Sequence, residues 1–254
     1  MSYLVTITDF SAIAQNGVKY ACELAKELDV ELVVMPFAPK DGANKVDSLV
    51  ANLRLEFPTV KFKSKHVSGN TFDSINSYAK ENGNPAIIIA GNGYVTDHIS
   101  WFDHLLIEAL TSQKYPLLAI PAGFTYKPIS RLCFAYDNAH QKNEKLYENL
   151  ISLTRFLKSE LHVVNIQRDG HSQDNSPDID TRIKDKLYVV SAHFHMVFKQ
   201  DDVDMAIHNF STKNKMDIIA LFPHSHPFFL KFLHKSHTIN VAQHSHLPVL
   251  SIHA

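Results

Sequence analysis

Apolar positions along the chain follow two alternating patterns. Short continuous runs such as Tyr3-Leu-Val-Thr-Ile-Thr8, Glu31-Leu-Val-Val34 and Ala86-Ile-Ile-Ile-Ala90 are separated by stretches whose apolar residues recur every three or four positions. The runs predict strands buried on both faces, and the recurring pattern predicts amphipathic helices. Strands are expected near 3–8, 31–37, 60–67, 86–90 and 116–120, then near 131–136, 160–166, 193–199, 217–222 and 248–252. Helices are expected near 12–28, 44–56, 71–82 and 101–113, then near 140–158, 178–191, 201–214 and 236–245. Buried strands alternating with helices imply a parallel sheet covered on both faces, and right-handed crossovers make that sheet doubly wound.

The pattern occurs twice. Tyr3-Leu-Val-Thr-Ile-Thr-Asp9 and Arg131-Leu-Cys-Phe-Ala-Tyr-Asp137 are both short apolar strands closed by an acid. Each precedes a helix with an apolar stripe: Ala14, Val18, Ala21, Ala25 and Leu28 in one, Leu146, Leu150, Leu153 and Leu157 in the other. Glu31-Leu-Val-Val34 matches Glu160-Leu-His-Val163, Ile87-Ile-Ile89 matches Ile218-Ile-Ala220, and Pro116-Leu-Leu-Ala-Ile120 matches Pro248-Val-Leu-Ser-Ile252. Four matches in one order predict a tandem duplication. The expected domains are 1–124 and 129–254, joined at Gly123-Phe-Thr-Tyr-Lys-Pro128, with 168–178 as the one long polar loop.

Composition narrows the function classes. Hydrophobic residues are 45% of the 254 and charged ones 20%, ordinary globular values. A formal charge of −1 leaves no electrostatic footprint for nucleic acid or an anionic membrane. The chain opens directly on a strand, and its purest apolar run is far too short to span a bilayer, so a soluble protein is expected. Cys22 and Cys133 lie in apolar patterns without a CxxC partner, which suits buried thiols in a reducing cytoplasm.

Open α/β sheets bind ligands beyond the carboxyl ends of the strands where strand order reverses. Those ends carry Asp9 and Asp137 on the first strands, and Ala90-Gly-Asn-Gly93 and Phe222-Pro-His-Ser225 on the fourth. An acid at the first strand can accept hydrogen bonds from a ribose or an adenine amine; at Asp9 a helix N-cap is an equal alternative. Gly91 and Gly93 could present backbone N–H groups to a phosphate. No P-loop, GxGxxG or GxSxG is present.

These residues resemble the universal stress protein family in its tandem form. The likeness rests on Ile7-Thr-Asp-Phe-Ser11, the apolar fourth strands, Tyr115-Pro-Leu-Leu-Ala-Ile120 and Leu247-Pro-Val-Leu-Ser-Ile252. The resemblance implies two five-stranded doubly wound domains packed as an internal pseudo-dimer, with a homodimer possible beyond it. It also implies a regulatory role in stress survival rather than a defined reaction. Some members of that family bind ATP through G-x2-G-x9-G-[S/T]. Here Ala90, Gly93, Asp103 and His104 occupy those positions in the first copy, and Phe222, Ser225, Lys235 and Ser236 in the second. Asp103 would set a negative charge at a helix N-terminus meant for a triphosphate, and the lost glycines add Cβ atoms where backbone must approach closely. The second copy keeps positive character through Lys235 and His237, so ATP, AMP or another anionic ligand is expected there if anywhere, with His224, Ser225 and Ser236 beside it. The alternative is an ATP-binding, slowly hydrolysing protein; the remaining partner is a protein or a small molecule.

Histidine is the compositional oddity. Of the 16, thirteen fall after residue 128, and His224, His226, His234, His237, His244 and His246 lie within one short segment. His224, His226, His234 and His237 form the candidate zinc set, although HxH and HxxH match no standard zinc spacing. Proton sensing by the same segment is the other reading of its composition.

Overall fold

The computed structural model describes residues 2–37, 42–67, 69–92, 114–136, 144–168, 181–199, 203–222 and 247–253. The chain divides into two compact units, Met1–Pro128 and Ile129–Ala254. The helices expected at 101–113 and 236–245 fall outside the described residues.

The first unit contains β1 (Tyr3–Thr8), α1 (Ala12–Leu28), β2 (Glu31–Pro36), α2 (Gly42–Glu56), β3 (Phe62–Ser64), α3 (Thr71–Asn82), β4 (Ile87–Asn92) and β5 (Leu117–Pro121). Its strands run in the order β3-β2-β1-β4-β5 and pair in parallel. The second unit contains β6 (Arg131–Tyr136), α4 (Glu144–Phe156), β7 (Glu160–Arg168), α5 (Thr181–Leu187), β8 (Ala192–Lys199), α6 (Val203–Lys213), β9 (Ile218–Leu221) and β10 (Val249–Ser251). Its order, β8-β7-β6-β9-β10, is the same doubly wound arrangement. Chain direction across the sheet reverses beside β1 in one unit and beside β6 in the other.

Strand register makes the duplication quantitative. Leu4 pairs with Leu32 and Ile87, and Leu132 pairs with Leu161 and Ile218. Leu32 pairs with Phe62 and Leu161 with Ala192; Ile88 pairs with Leu117 and Ile219 with Val249. Equivalent residues are thus 128 apart in the first strand (4 to 132), then 129 (32 to 161), 130 (62 to 192), 131 (88 to 219) and 132 (117 to 249). Each successive strand gains one residue of connection. This offset makes Gly91 equivalent to Phe222, one residue off the Ala90–Phe222 match made from the glycine-loop pattern.

Helix α1 shows why these elements form. Ser11 is its N-cap, with a side chain that accepts from Ala14 N. Ala14, Gly17, Val18, Ala21, Leu24 and Ala25 turn one stripe into the core. Asp29 ends the helix in the left-handed conformation (φ 51°), and Val30 N donates back to Ala25 O. Helix α4 ends the same way at Lys158 (φ 53°), with Ser159 N donating to Thr154 O, and all four leucines of its expected stripe are buried.

Several elements are shorter than the pattern predicts. Strand β3 covers only 62–64 of the expected 60–67, as an edge strand with Lys63 outward and ion-paired to Glu31 at 3.0 Å. Helix α4 is described from Glu144 onward, and the start expected at 140 falls among 137–143, outside the described residues. Helix α5 stops at Leu187 instead of reaching 191, because the β-branched pair Val189-Val190 leaves the helix in a turn closed by Val190 N to Leu187 O.

Candidate functional site

In the first unit the strand-order reversal puts the end of β1 beside the end of β4. Asp9 does not cap α1, since Ser11 does. Its Oδ1 instead accepts from Ser11 N at 3.0 Å, while Thr8 Oγ1 accepts from Phe10 N at 3.0 Å. These two bonds, with Gln15 Nε2 donating to Phe10 O at 3.1 Å, hold Phe10 at φ 67°, a conformation that costs a phenylalanine free energy. The acid is therefore part of a rigid turn at the site where the doubly wound fold receives ligands.

Gly91, the next-to-last residue of β4, lies at this point and is buried. A methyl group there would overlap the carbonyl of Ile13, and one on Gly17 would lie 2.8 Å from Gly91 Cα and 3.0 Å from the Ala90 carbonyl carbon. The two glycines thus let α1 and β4 meet backbone to backbone. The missing side chain of Gly91 is accounted for by this helix contact. Gly93, the second glycine of the loop, lies outside the described residues.

The equivalent place in the second unit is filled differently. Phe222, the residue equivalent to Gly91 in the repeat, is 4% exposed. Its ring sits 4.7 Å from that of Phe134 and 5.7 Å, edge to face, from that of Tyr147. Phe134 and Tyr147 are themselves fully buried, so three aromatic rings close the end of β9 against β6 and α4. The other candidates here, Asp137, His224, Ser225, His226, His234, Lys235, Ser236 and His237, lie outside the described residues, as does Asp103.

A different set of histidines comes together on the second unit's edge. His162 of β7 pairs in register with His193 of β8, and His195 projects from the same face two residues on. The His162 ring stacks 4.9 Å from His193 and 5.2 Å from His195. His162 Nδ1 and His195 Nε2 are hydrogen-bonded at 3.0 Å, and the His195 ring rests 4.8 Å from Phe210 of α6. Among the described residues His162 Nε2 is buried without a hydrogen-bond partner, and it lies 3.6 Å from Glu160 Oε2. Burial, followed by the neighbouring histidine charges, lowers the pKa of His162; burial and then His193 lower that of His195. Glu160, His162 and His193 each offer a ligand atom within 4.8 Å of the others. Scanning for zinc spacings passes over this set because its members come from two strands 31 residues apart (162 to 193). The legible signal is Glu160-x-His162 and His193-x-His195, each with strand period.

Two other clusters have simpler roles. Asp47 of α2 accepts from Ser64 Oγ at 2.6 Å and contacts His66 Nε2 at 3.0 Å, lowering the Asp47 pKa chiefly through the serine bond. Here the carboxylate stands between serine and histidine, the wrong order for activating a hydroxyl, and the group ties α2 to the end of β3. Cys22 and Cys133 are buried free thiols, and burial pushes both up to about 12. No helix among the described residues is long and apolar enough to cross a membrane.

Neither a protein-family model nor a curated protein sequence matches the chain. Solved structures do. A universal stress protein from Archaeoglobus fulgidus DSM 4304 aligns over 98% of this chain and 97% of its own, with TM-score 0.68 and 14% identity. A universal stress protein structure from Pseudomonas aeruginosa UCBPP-PA14 aligns over 99% and 92%, with TM-score 0.57 and 15% identity. The cytoplasmic domain of a prokaryotic cation chloride cotransporter aligns over 98% and 94%, with TM-score 0.57 at 8% identity. With parallel five-stranded sheets repeated in one register, and full-length alignment to these structures, the chain has the tandem universal stress protein fold.

Proposed function

We propose that this protein acts by binding rather than by catalysis, as a stress-response regulatory protein whose nucleotide loops are degenerate. Phe222 carries the reading. A phosphate cradle at the end of the fourth strand needs backbone N–H groups that a ligand can approach, and glycine is what permits that approach. The second unit has a buried phenylalanine there, locked between Phe134 and Tyr147. The remaining ligand would be a small anion near Lys235 and Ser236, or a protein partner. Free buried Cys22 and Cys133 suit a cytoplasmic location.

A second reading is favoured by the first unit alone, where Asp9 and Gly91 still stand at the strand ends: adenine nucleotide binding there, with slow hydrolysis. Mass spectrometry of small molecules released by denaturing the purified protein separates the two, alongside calorimetric titration with ATP and AMP. The binding-only reading expects no stoichiometric nucleotide in either experiment. One equivalent of ATP per chain would overturn it, and loss of that equivalent in Asp9→Ala would assign it to the first unit.

A further inference from the structure

We propose that Glu160, His162 and His193 form a divalent transition-metal site on the β7–β8 edge of the second unit, with Zn2+ as the matching ion and His195 as the positioning residue. This site is separate from the strand-end region discussed above and does not depend on the nucleotide reading.

The donor set is the first ground. Two imidazole nitrogens and one carboxylate oxygen are borderline ligands that suit zinc, and three protein ligands leave a fourth position for water. Geometry is the second. Donors bound to one tetrahedral zinc at about 2.0–2.2 Å stand roughly 3.4 Å apart, and His162 Nε2 lies 3.6 Å from Glu160 Oε2. His193, on an exposed side chain, offers a ring nitrogen within 4.8 Å of both other donor atoms.

His162 supplies the third ground. Its Nδ1 is bonded to His195 Nε2, which leaves Nε2 as the outward ligand atom. A metal-bound histidine is characteristically held in this way through its other ring nitrogen. His195 is in turn packed on Phe210, so the orienting group is itself supported. His162 is only 6% exposed, yet its Nε2 has no hydrogen-bond partner among the described residues. A buried nitrogen left so costs free energy that a bound cation would recover. Arg131 is the competing cation: its Nε is 3.8 Å from Glu160 Oε2, but its Nη1 donates to Asn214 O at 2.8 Å. The carboxylate is therefore not committed to Arg131 by a hydrogen bond.

The test titrates Zn2+ into the chelator-treated full chain by calorimetry, with Co2+ absorbance reporting coordination number. A background carrying His224→Ala, His226→Ala, His234→Ala and His237→Ala removes the loop histidines as alternative ligands. One equivalent of Zn2+ is expected to bind in that background. Glu160→Gln or His193→Ala should weaken it by at least about tenfold, and the pair should abolish it. Both side chains are exposed, so circular dichroism and the thermal midpoint without metal should not change. His195→Phe should weaken binding by roughly 10–100-fold while leaving the ligands in place. Absence of Zn2+ binding by the unaltered chain, its loss in the four-histidine background, or its survival in Glu160→Gln/His193→Ala would each overturn the proposal.

Discussion

Gly17→Ala should destabilise the first unit, although alanine is the better helix former. Gly17 lies inside α1 with ordinary helical geometry, so propensity alone favours alanine by about 1 kcal/mol. The added methyl, however, would stand 2.8 Å from Gly91 Cα and 3.0 Å from the Ala90 carbonyl carbon. Those are backbone atoms of β4, which is paired to β1 on one side and β5 on the other, so neither can rotate away. Helix α1 must move instead, away from the sheet it covers. Overpacking of this kind costs roughly 1–3 kcal/mol, and a backbone obstacle places it at the upper end. The net loss expected is about 2 kcal/mol, or a urea midpoint lower by about 1 M at unchanged slope. Far-UV circular dichroism follows the transition. An unchanged or raised midpoint would refute the close approach of α1 and β4, and with it the structural account of Gly91.

Three further outcomes are expected. Asn70 caps α3 by accepting from Phe72 N at 2.7 Å and Asp73 N at 3.4 Å, so Asn70→Ala should cost about 1 kcal/mol in urea unfolding; no loss would remove the cap from the account. Phe222→Ala should lower the second unit's stability by roughly 3–5 kcal/mol, since it empties the space between Phe134 and Tyr147; a change under about 1 kcal/mol would show that the rings do not pack as described. With their pKa near 12, Cys22 and Cys133 should carry roughly one thiolate in ten thousand at pH 8, so an aromatic disulfide reagent should react with two equivalents only after unfolding. The raised folded pKa of each thiol contributes stability that is complete below the unfolded value and is lost as pH rises from about 9 towards 12, at up to about 1.4 kcal/mol per pH unit per thiol. Cys22→Ala should therefore flatten the alkaline decline in stability followed by circular dichroism, and an identical decline would contradict the burial assigned to Cys22.

What the chain determined by itself is local and periodic. Continuous Val/Ile/Leu runs mark buried strands, and the 4, 3, 4 spacing of Leu146, Leu150, Leu153 and Leu157 marks the buried face of α4 and of the turn that ends it, because each pattern is written within a few neighbouring residues. The duplication was legible for the same reason: a strand closed by an acid and followed by a helix is a local phrase, met once at Asp9 and again at Asp137. Tertiary structure decided what depends on residues far apart. Gly17 and Gly91 answer to each other only because α1 is laid across the end of β4. Phe222 reads as a displaced glycine until the packing of β9 and α4 on β6 brings its ring against those of Phe134 and Tyr147. His162, His193 and His195 look like scattered members of a histidine-rich half, while the crowded segment from His224 to His246 draws the eye. Parallel pairing of β7 with β8 is what sets His162 beside His193, since a shift of one residue would send one of the two rings to the opposite face.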